Sequence, residues 1–203
     1  GSMKRFLKNA LVLLVAATLL TGCGRTKLME AQADEGLGLG KDEFIALYNK
    51  LIVKELAGNA EKIGERTSPT ITEYPSYIDI YGISHPYREL TSRFKLENEL
   101  LISIEERENA KTITKFHLYG PATVGMPYIH AFLNCLKLSQ EDREQVEQSI
   151  QSLADDGGSY SEDRGGFHFY FSIDGKLKGN NKRILDFDFS IADAATSGRG
   201  IDQ

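Results

Sequence analysis

Apolar and polar positions follow three different rhythms along this chain. From Ala10 to Leu20 the residues carry no charge at all. From Asp42 to Gly58 the spacing is helical: Phe44, Leu47, Tyr48, Leu51, Ile52 and Leu56 recur every three or four residues, with Asp42 as the expected N-cap and Gly58 as the stop. From about residue 72 to 119 the period falls to two, through YPSYIDIYGI, LTSRFKLEN, ELLISIEER and KTITKFHLYG. This predicts three or four antiparallel strands in a meander, with turns at Asn98-Glu99 and Glu108-Asn109. One strand face carries Phe94, Leu96, Ile102, Ile104, Phe116 and Leu118; the other carries Arg93, Lys95, Ser103, Glu105 and Lys115. A sheet with a single apolar face needs a cover, and the preceding helix is the nearest one.

The helical period returns after Gly125-Met126-Pro127. Pro127 suits a first turn, and Ile129, Phe132, Leu133 and Leu136 make the buried stripe. Ser139 followed by Asp142 resembles a capping box opening another helix, with Val146, Ile150 and Leu153 inward and Asp156-Gly157-Gly158 as its end. GFHFYFSIDG and RILDFDFSIAD then read as paired strands, placing Phe167, Phe169, Phe171, Ile173, Leu185, Phe187, Phe189 and Ile191 on one face. The expected fold is α+β: an antiparallel sheet covered on one face by two to three helices. Its order suggests two unequal α-then-β halves, either sharing one sheet or packed as a pseudo-repeat. Residues 41–193 form a single domain in this reading. Residues 23–40 lack a sustained period and end in GLGLG, so they are expected to be a flexible tether; the polar residues 194–203 are expected to be a flexible tail.

Gly1-Ser2 reads as a tag remnant ahead of Met3. Lys4, Arg5 and Lys8 precede the uncharged run, which is far short of the roughly 20 apolar residues that span a bilayer. A basic start, a short apolar core and small residues at its end make a secretory leader over 3–22. Its last residues, Leu20-Thr21-Gly22-Cys23, resemble the lipobox of bacterial lipoproteins. The resemblance implies that Cys23 receives a diacylglycerol, that cleavage occurs before it, and that the mature chain is held on a cell membrane or outer membrane, outside the cytoplasm, with the added acyl chains (palmitate among them) as anchor. Two or more chains suffice for stable anchoring. Gly24 stands where Asp would signal retention in an inner membrane. With Cys23 given to lipid, Cys135 has no disulfide partner in its own chain.

Charge narrows the partners. The formal net charge is −5, and excluding the three leader cations takes the mature chain to about −8. Such a surface lacks the basic footprint that nucleic acid requires.

The chemistry-bearing residues are scattered. Asp186 and Asp188 in DFDF share one side of a strand and suit either metal ligation or a carboxylate pair; the plainer reading is the polar face of a half-buried strand. Asp79 and Glu105 are weaker versions of the same idea. His117 and His168 sit on the face opposite the apolar one, where convergence with Tyr119 and Tyr170 would make a polar-aromatic surface. Two solvated strand histidines are the plainer reading. No histidine or cysteine spacing matches a zinc motif, and no GxSxG, P-loop or dinucleotide turn occurs, so no metal or cofactor is expected. Cys135 in HAFLNCLKL reads as a small buried hydrophobe rather than a nucleophile. DDGGSYSEDRGG, residues 155–166, has the acids for calcium but not the EF-hand order, and is expected to be a helix-to-strand loop. Lys176, Lys178, Lys182 and Arg183 cluster at a predicted hairpin end. Together with Tyr77, Asp79 and Tyr81 they form the expected docking surface.

The functional expectation is a lipid-anchored, non-enzymatic binding module for an envelope protein or polymer. The alternatives are an envelope hydrolase with an Asp/His site, or a small-ligand-binding lipoprotein.

Overall fold

The computed structural model describes residues 25–32, 36–174 and 183–192. Cys23, Lys176, Lys178 and Lys182 lie outside these residues, as do the expected leader and tail.

The fold is α+β, and the two α-then-β halves share one sheet. Helix α1 (Lys41–Leu56) precedes strands β1 (Thr70–Tyr74), β2 (Tyr77–Ile78), β3 (Ser84–His85), β4 (Glu89–Lys95), β5 (Leu101–Arg107) and β6 (Ile113–Pro121). Helices α2 (Ala122–Leu133) and α3 (Gln140–Asp156) precede β7 (Gly158–Arg164), β8 (Phe167–Ile173) and β9 (Ile184–Ile191). Seven strands form an antiparallel sheet in the order β1-β4-β5-β6-β9-β8-β7. Each half contributes a meander, and the seam between them is the β6–β9 pair. Strands β2 and β3 stand apart as a small hairpin.

The helices cover one face because only that face is apolar. Phe44 and Tyr48 of α1 and Phe132 of α2 pack into Phe116 of β6 and Phe187 and Phe189 of β9, all buried. Phe116 and Phe132 stack with ring centroids 4.3 Å apart. Removing such a ring costs about 3–5 kcal/mol, so this cluster holds the two halves together across the seam. Gly125 is what lets α2 approach: a Cβ there would lie 2.7 Å from Leu185 Cδ2. Ser139 caps α3 as expected, its Oγ accepting from the Asp142 amide at 3.1 Å.

Several expectations are corrected. The N-cap of α1 is Gly40, not Asp42, and it makes no side-chain cap. Pro127 lies in the second turn of α2, which begins directly after β6 because Gly120, at φ 152°, turns the chain at the strand end. The stretch 155–166 is not a loop: Gly158–Arg164 is edge strand β7, paired with β8 along its whole length. Its polar character reflects the edge position, where charges discourage pairing with another chain.

The described part of the expected tether is packed. Met29, Leu37 and Leu39 are buried. The Met29 amide donates to Cys135 O at 2.7 Å, Leu37 N donates to Ile113 O at 3.0 Å, and Ile113 N donates to Leu39 O at 2.8 Å. In GLGLG the leucines face the core while Gly38, at φ 89°, folds the backbone against Glu30, where a Cβ would lie 2.9 Å from the carbonyl oxygen. An alternation of two apolar residues was too short to register as a strand. Among the described residues, no helix is long and apolar enough to cross a membrane.

Candidate functional site

The face of the sheet opposite the helices is open, and its register sets the site. Across it, in one row, lie Arg93 of β4, Ser103 of β5, His117 of β6, Asp188 of β9 and Tyr170 of β8, each opposite the next. The neighbouring rows bring Tyr119 opposite Asp186, and Thr91 opposite Glu105, which faces Lys115. The β2–β3 hairpin stands beside this face. Together they enclose a cleft of about 530 Å³ whose lining includes Tyr74, Tyr77, Arg93, Glu105, His117 and Asp188.

His117 Nε2 lies 2.7 Å from Asp186 Oδ1 and 3.9 Å from Asp188 Oδ1. These three residues present donor atoms all within 4.8 Å of one another, a convergence the sequence spacing did not predict. Burial pushes the Asp188 carboxyl above its usual range, helped by the like charge of Asp186 and opposed by His117, Lys115 and His168. With 54% of that side chain still exposed, solvent screens much of the push. His168 does not join the group; its Nδ1 is 2.6 Å from Asp163 on the adjacent edge strand.

Glu105 is the more buried acid, with 20% of its side chain exposed. Its pKa is raised to about 7, chiefly by loss of solvent, with a hydrogen bond donated to Glu89 and the negative charge of Glu89 adding to the rise against the lowering effects of Lys115 and Arg107. A carboxyl poised near neutrality inside a cleft is able to hold or release a proton at working pH. On the other side of the cleft the Arg93 guanidinium reaches Tyr74 Oη at 3.4 Å. Acid, imidazole, guanidinium and phenol thus line one small space.

The expected docking surface divides. Tyr77 lines the cleft and stacks on His85, with centroids 4.5 Å apart. Tyr81 is exposed near the hairpin tip. Asp79 is tied into the hairpin's own turn: its Oδ1 accepts from the amides of Tyr81 and Ile83, both at 2.9 Å, and its Oδ2 is 3.1 Å from His85 Nε2. Those bonds, that from Ile83 first, hold its carboxyl below the usual range and make it the turn's own cap. Arg183 also has partners within the fold. Its guanidinium donates to Ala154 O and Leu153 O at the carbonyl end of α3, and to Asp174 O just after β8.

Cys135 is buried, its thiol pushed up strongly by burial, and its Sγ donates to Ala131 O at 3.7 Å. It is core, as the sequence suggested. Glu89, Arg93, Tyr74 and Ser103 entered the site only through strand register. The legible trace of a special region was the apolar YIDIY: Ile78, Ile80 and Tyr81 remain 71%, 91% and 74% exposed, which no folding requirement explains.

Compared with known proteins, the chain matches no family model, no curated protein and no solved structure.

Proposed function

We propose that this chain is a lipid-anchored module of the bacterial cell envelope that binds a polar polymer or protein segment in the cleft on its open sheet face. One observation carries the reading: the sheet face left bare by the helices is shaped into a cleft of about 530 Å³ lined by Tyr74, Tyr77, Arg93, Glu105 and His117. Two phenol rings set among groups of both charges, Arg93 and Lys115 against Glu89, Glu105 and Asp188, suit a ligand bearing hydroxyl, amino and carboxyl groups.

The anchor reading rests on Leu20-Thr21-Gly22-Cys23 and fits the packing of the segment that follows. Cys23 lies six positions before the buried Met29, so at about 3.3 Å per step the leash is at most about 20 Å. Residues 37–39 bond to Ile113 at the start of β6, and the Glu108 amide, in the preceding turn, donates to Arg88 O beside the hairpin base at 2.8 Å. The leash and the hairpin therefore leave the same end of the sheet. An anchor on Cys23 brings that end, with Ile78, Ile80 and Tyr81, against the bilayer interface, and leaves the cleft accessible at the side.

The mature chain from Gly24, which holds the whole described core, is to be presented to purified sacculi and to envelope protein. Stoichiometric retention that Tyr77→Ala and Arg93→Ala abolish supports the reading; retention undiminished in both, or absent, overturns it. For the anchor, Cys23→Ala is expected to leave the precursor uncleaved and unlipidated, and a normally processed, membrane-bound variant sinks that part.

A hydrolytic reading has one observation in its favour. His117 is backed by Asp186 and faces Ser103 directly across the β5–β6 pair, on the cleft wall. Turnover of an ester or amide by the intact chain, lost in Ser103→Ala with folding intact, would move the assignment to an enzyme.

A further inference from the structure

We infer that His117, Asp186 and Asp188 form a binding site for a first-row transition dication, with its open coordination positions turned into the cleft. The site deepens the cleft-binding reading, on which it rests only for what the open positions meet.

Register builds it. His117 and Asp188 are opposite one another at the β6–β9 seam, and Asp186 is two residues along the same strand and therefore on the same face. Both strands lie in the middle of the sheet, so the three side chains stand on rigid backbone. Donor atoms bound at about 2.0–2.2 Å to one ion lie roughly 3–3.5 Å apart. Here the imidazole nitrogen is 2.7 Å from one carboxylate and 3.9 Å from the other. Small side-chain rotations, opening the first gap and closing the second, reach the required geometry.

Charge and donor type point the same way. Asp186 and Asp188 face each other's negative field, and a dication between them relieves it more fully than one imidazole does. One nitrogen and two carboxylate oxygens suit zinc, manganese, iron(II) or cobalt; calcium and magnesium prefer oxygen alone. Three protein donors leave at least one position for water or ligand, the pattern of sites that handle substrates rather than staple folds. His117 and Asp188 line the cleft, so that position opens toward bound ligand.

The test is calorimetric titration of the chain from Gly24, freed of metal with a chelator, using zinc and manganese chlorides, with cobalt absorption as a second readout. One equivalent bound at micromolar affinity is expected, with calcium at least tenfold weaker. His117→Gln, Asp186→Asn and Asp188→Asn should each weaken binding tenfold or more while near-ultraviolet circular dichroism stays unchanged. His168→Gln should leave it intact. No binding at millimolar zinc, or equal affinity in His117→Gln and Asp188→Asn, overturns the site. Cation binding that survives Tyr77→Ala and Arg93→Ala, while envelope ligand is not retained even by the parent chain, would sink the cleft reading and leave the metal site standing.

Discussion

The imidazole of His117 and the carboxylate of Asp186 meet at 2.7 Å although they lie 69 positions apart in the chain. The meeting follows from the seam where the two halves of the chain join into one sheet, placing β6 beside β9. Because both side chains are about a third exposed, the pair adds little to stability. His117→Ala is therefore expected to shift stability by less than about 1 kcal/mol while removing ligand and cation binding. Denaturant unfolding beside a binding titration separates the two; a large loss of stability would show that the pair is structural.

Glu105 makes the fold sensitive to pH. Its pKa is raised to about 7 in the folded chain, from an ordinary value of 4.5, so the folded state holds a proton that the unfolded state has released. Stability should accordingly fall as pH rises from about 4.5 to 7 and flatten above that. The groups facing it are Glu89 and Arg93 on β4, Arg107 on β5, Lys115 and His117 on β6, and Tyr74 and Tyr77. Glu105→Gln should remove this slope and stabilise the protein at pH 8 by roughly 1–3 kcal/mol. An unchanged slope in chemical denaturation across that window would place the proton elsewhere.

The segment leading into α1 is part of the core. Leu37→Ala and Leu39→Ala should each cost about 2–4 kcal/mol, as buried leucines do, and a true tether would tolerate both without loss. Gly38→Ala combines a strained φ with a clash on Glu30 and should be destabilising as well. Thermal unfolding of the three variants decides the matter.

Cys135 should resist thiol reagents in the native protein and react at once in denaturant, because the thiol is buried and held protonated. Rapid native labelling would mean that the contact between α2 and the segment around Met29 opens readily.

The hairpin should matter for membranes and not for folding. Replacing Ile80 and Tyr81, 91% and 74% exposed, with serine should leave unfolding unchanged and reduce partition of the chain from Gly24 onto zwitterionic vesicles. With no basic cluster among the hairpin residues, added salt should have little effect on that partition. Equal partition of parent and variant would remove the bilayer from the hairpin's role.

Much of the architecture was legible because long apolar periods report burial directly. Phe44, Tyr48, Phe116, Phe132, Phe187 and Phe189 are placed inward by spacing alone, and all are buried. Ser139 and Cys135 likewise declare themselves through local capping and local apolarity. Short or polar segments are less transparent. Residues 37–39 pair with a strand more than 70 positions away, and β7 survives on backbone bonds to β8 rather than on apolar alternation. Arg183 looked outward as a charge in a basic cluster, yet α3 ends where its guanidinium reaches the open carbonyls.

The site belongs to the same divide. From the sequence alone come the α+β class and the single apolar face of the central strands, since these depend on neighbours within a few residues. Which strands are adjacent depends on how the two halves join, and no local period encodes that. Only the tertiary structure, by pairing β6 with β9 and standing the hairpin beside the open face, brought His117 to Asp186 and Asp188 and made a cleft there. The physical reason is that burial is a property of single positions, whereas a site is a relation between positions that chain topology alone brings together.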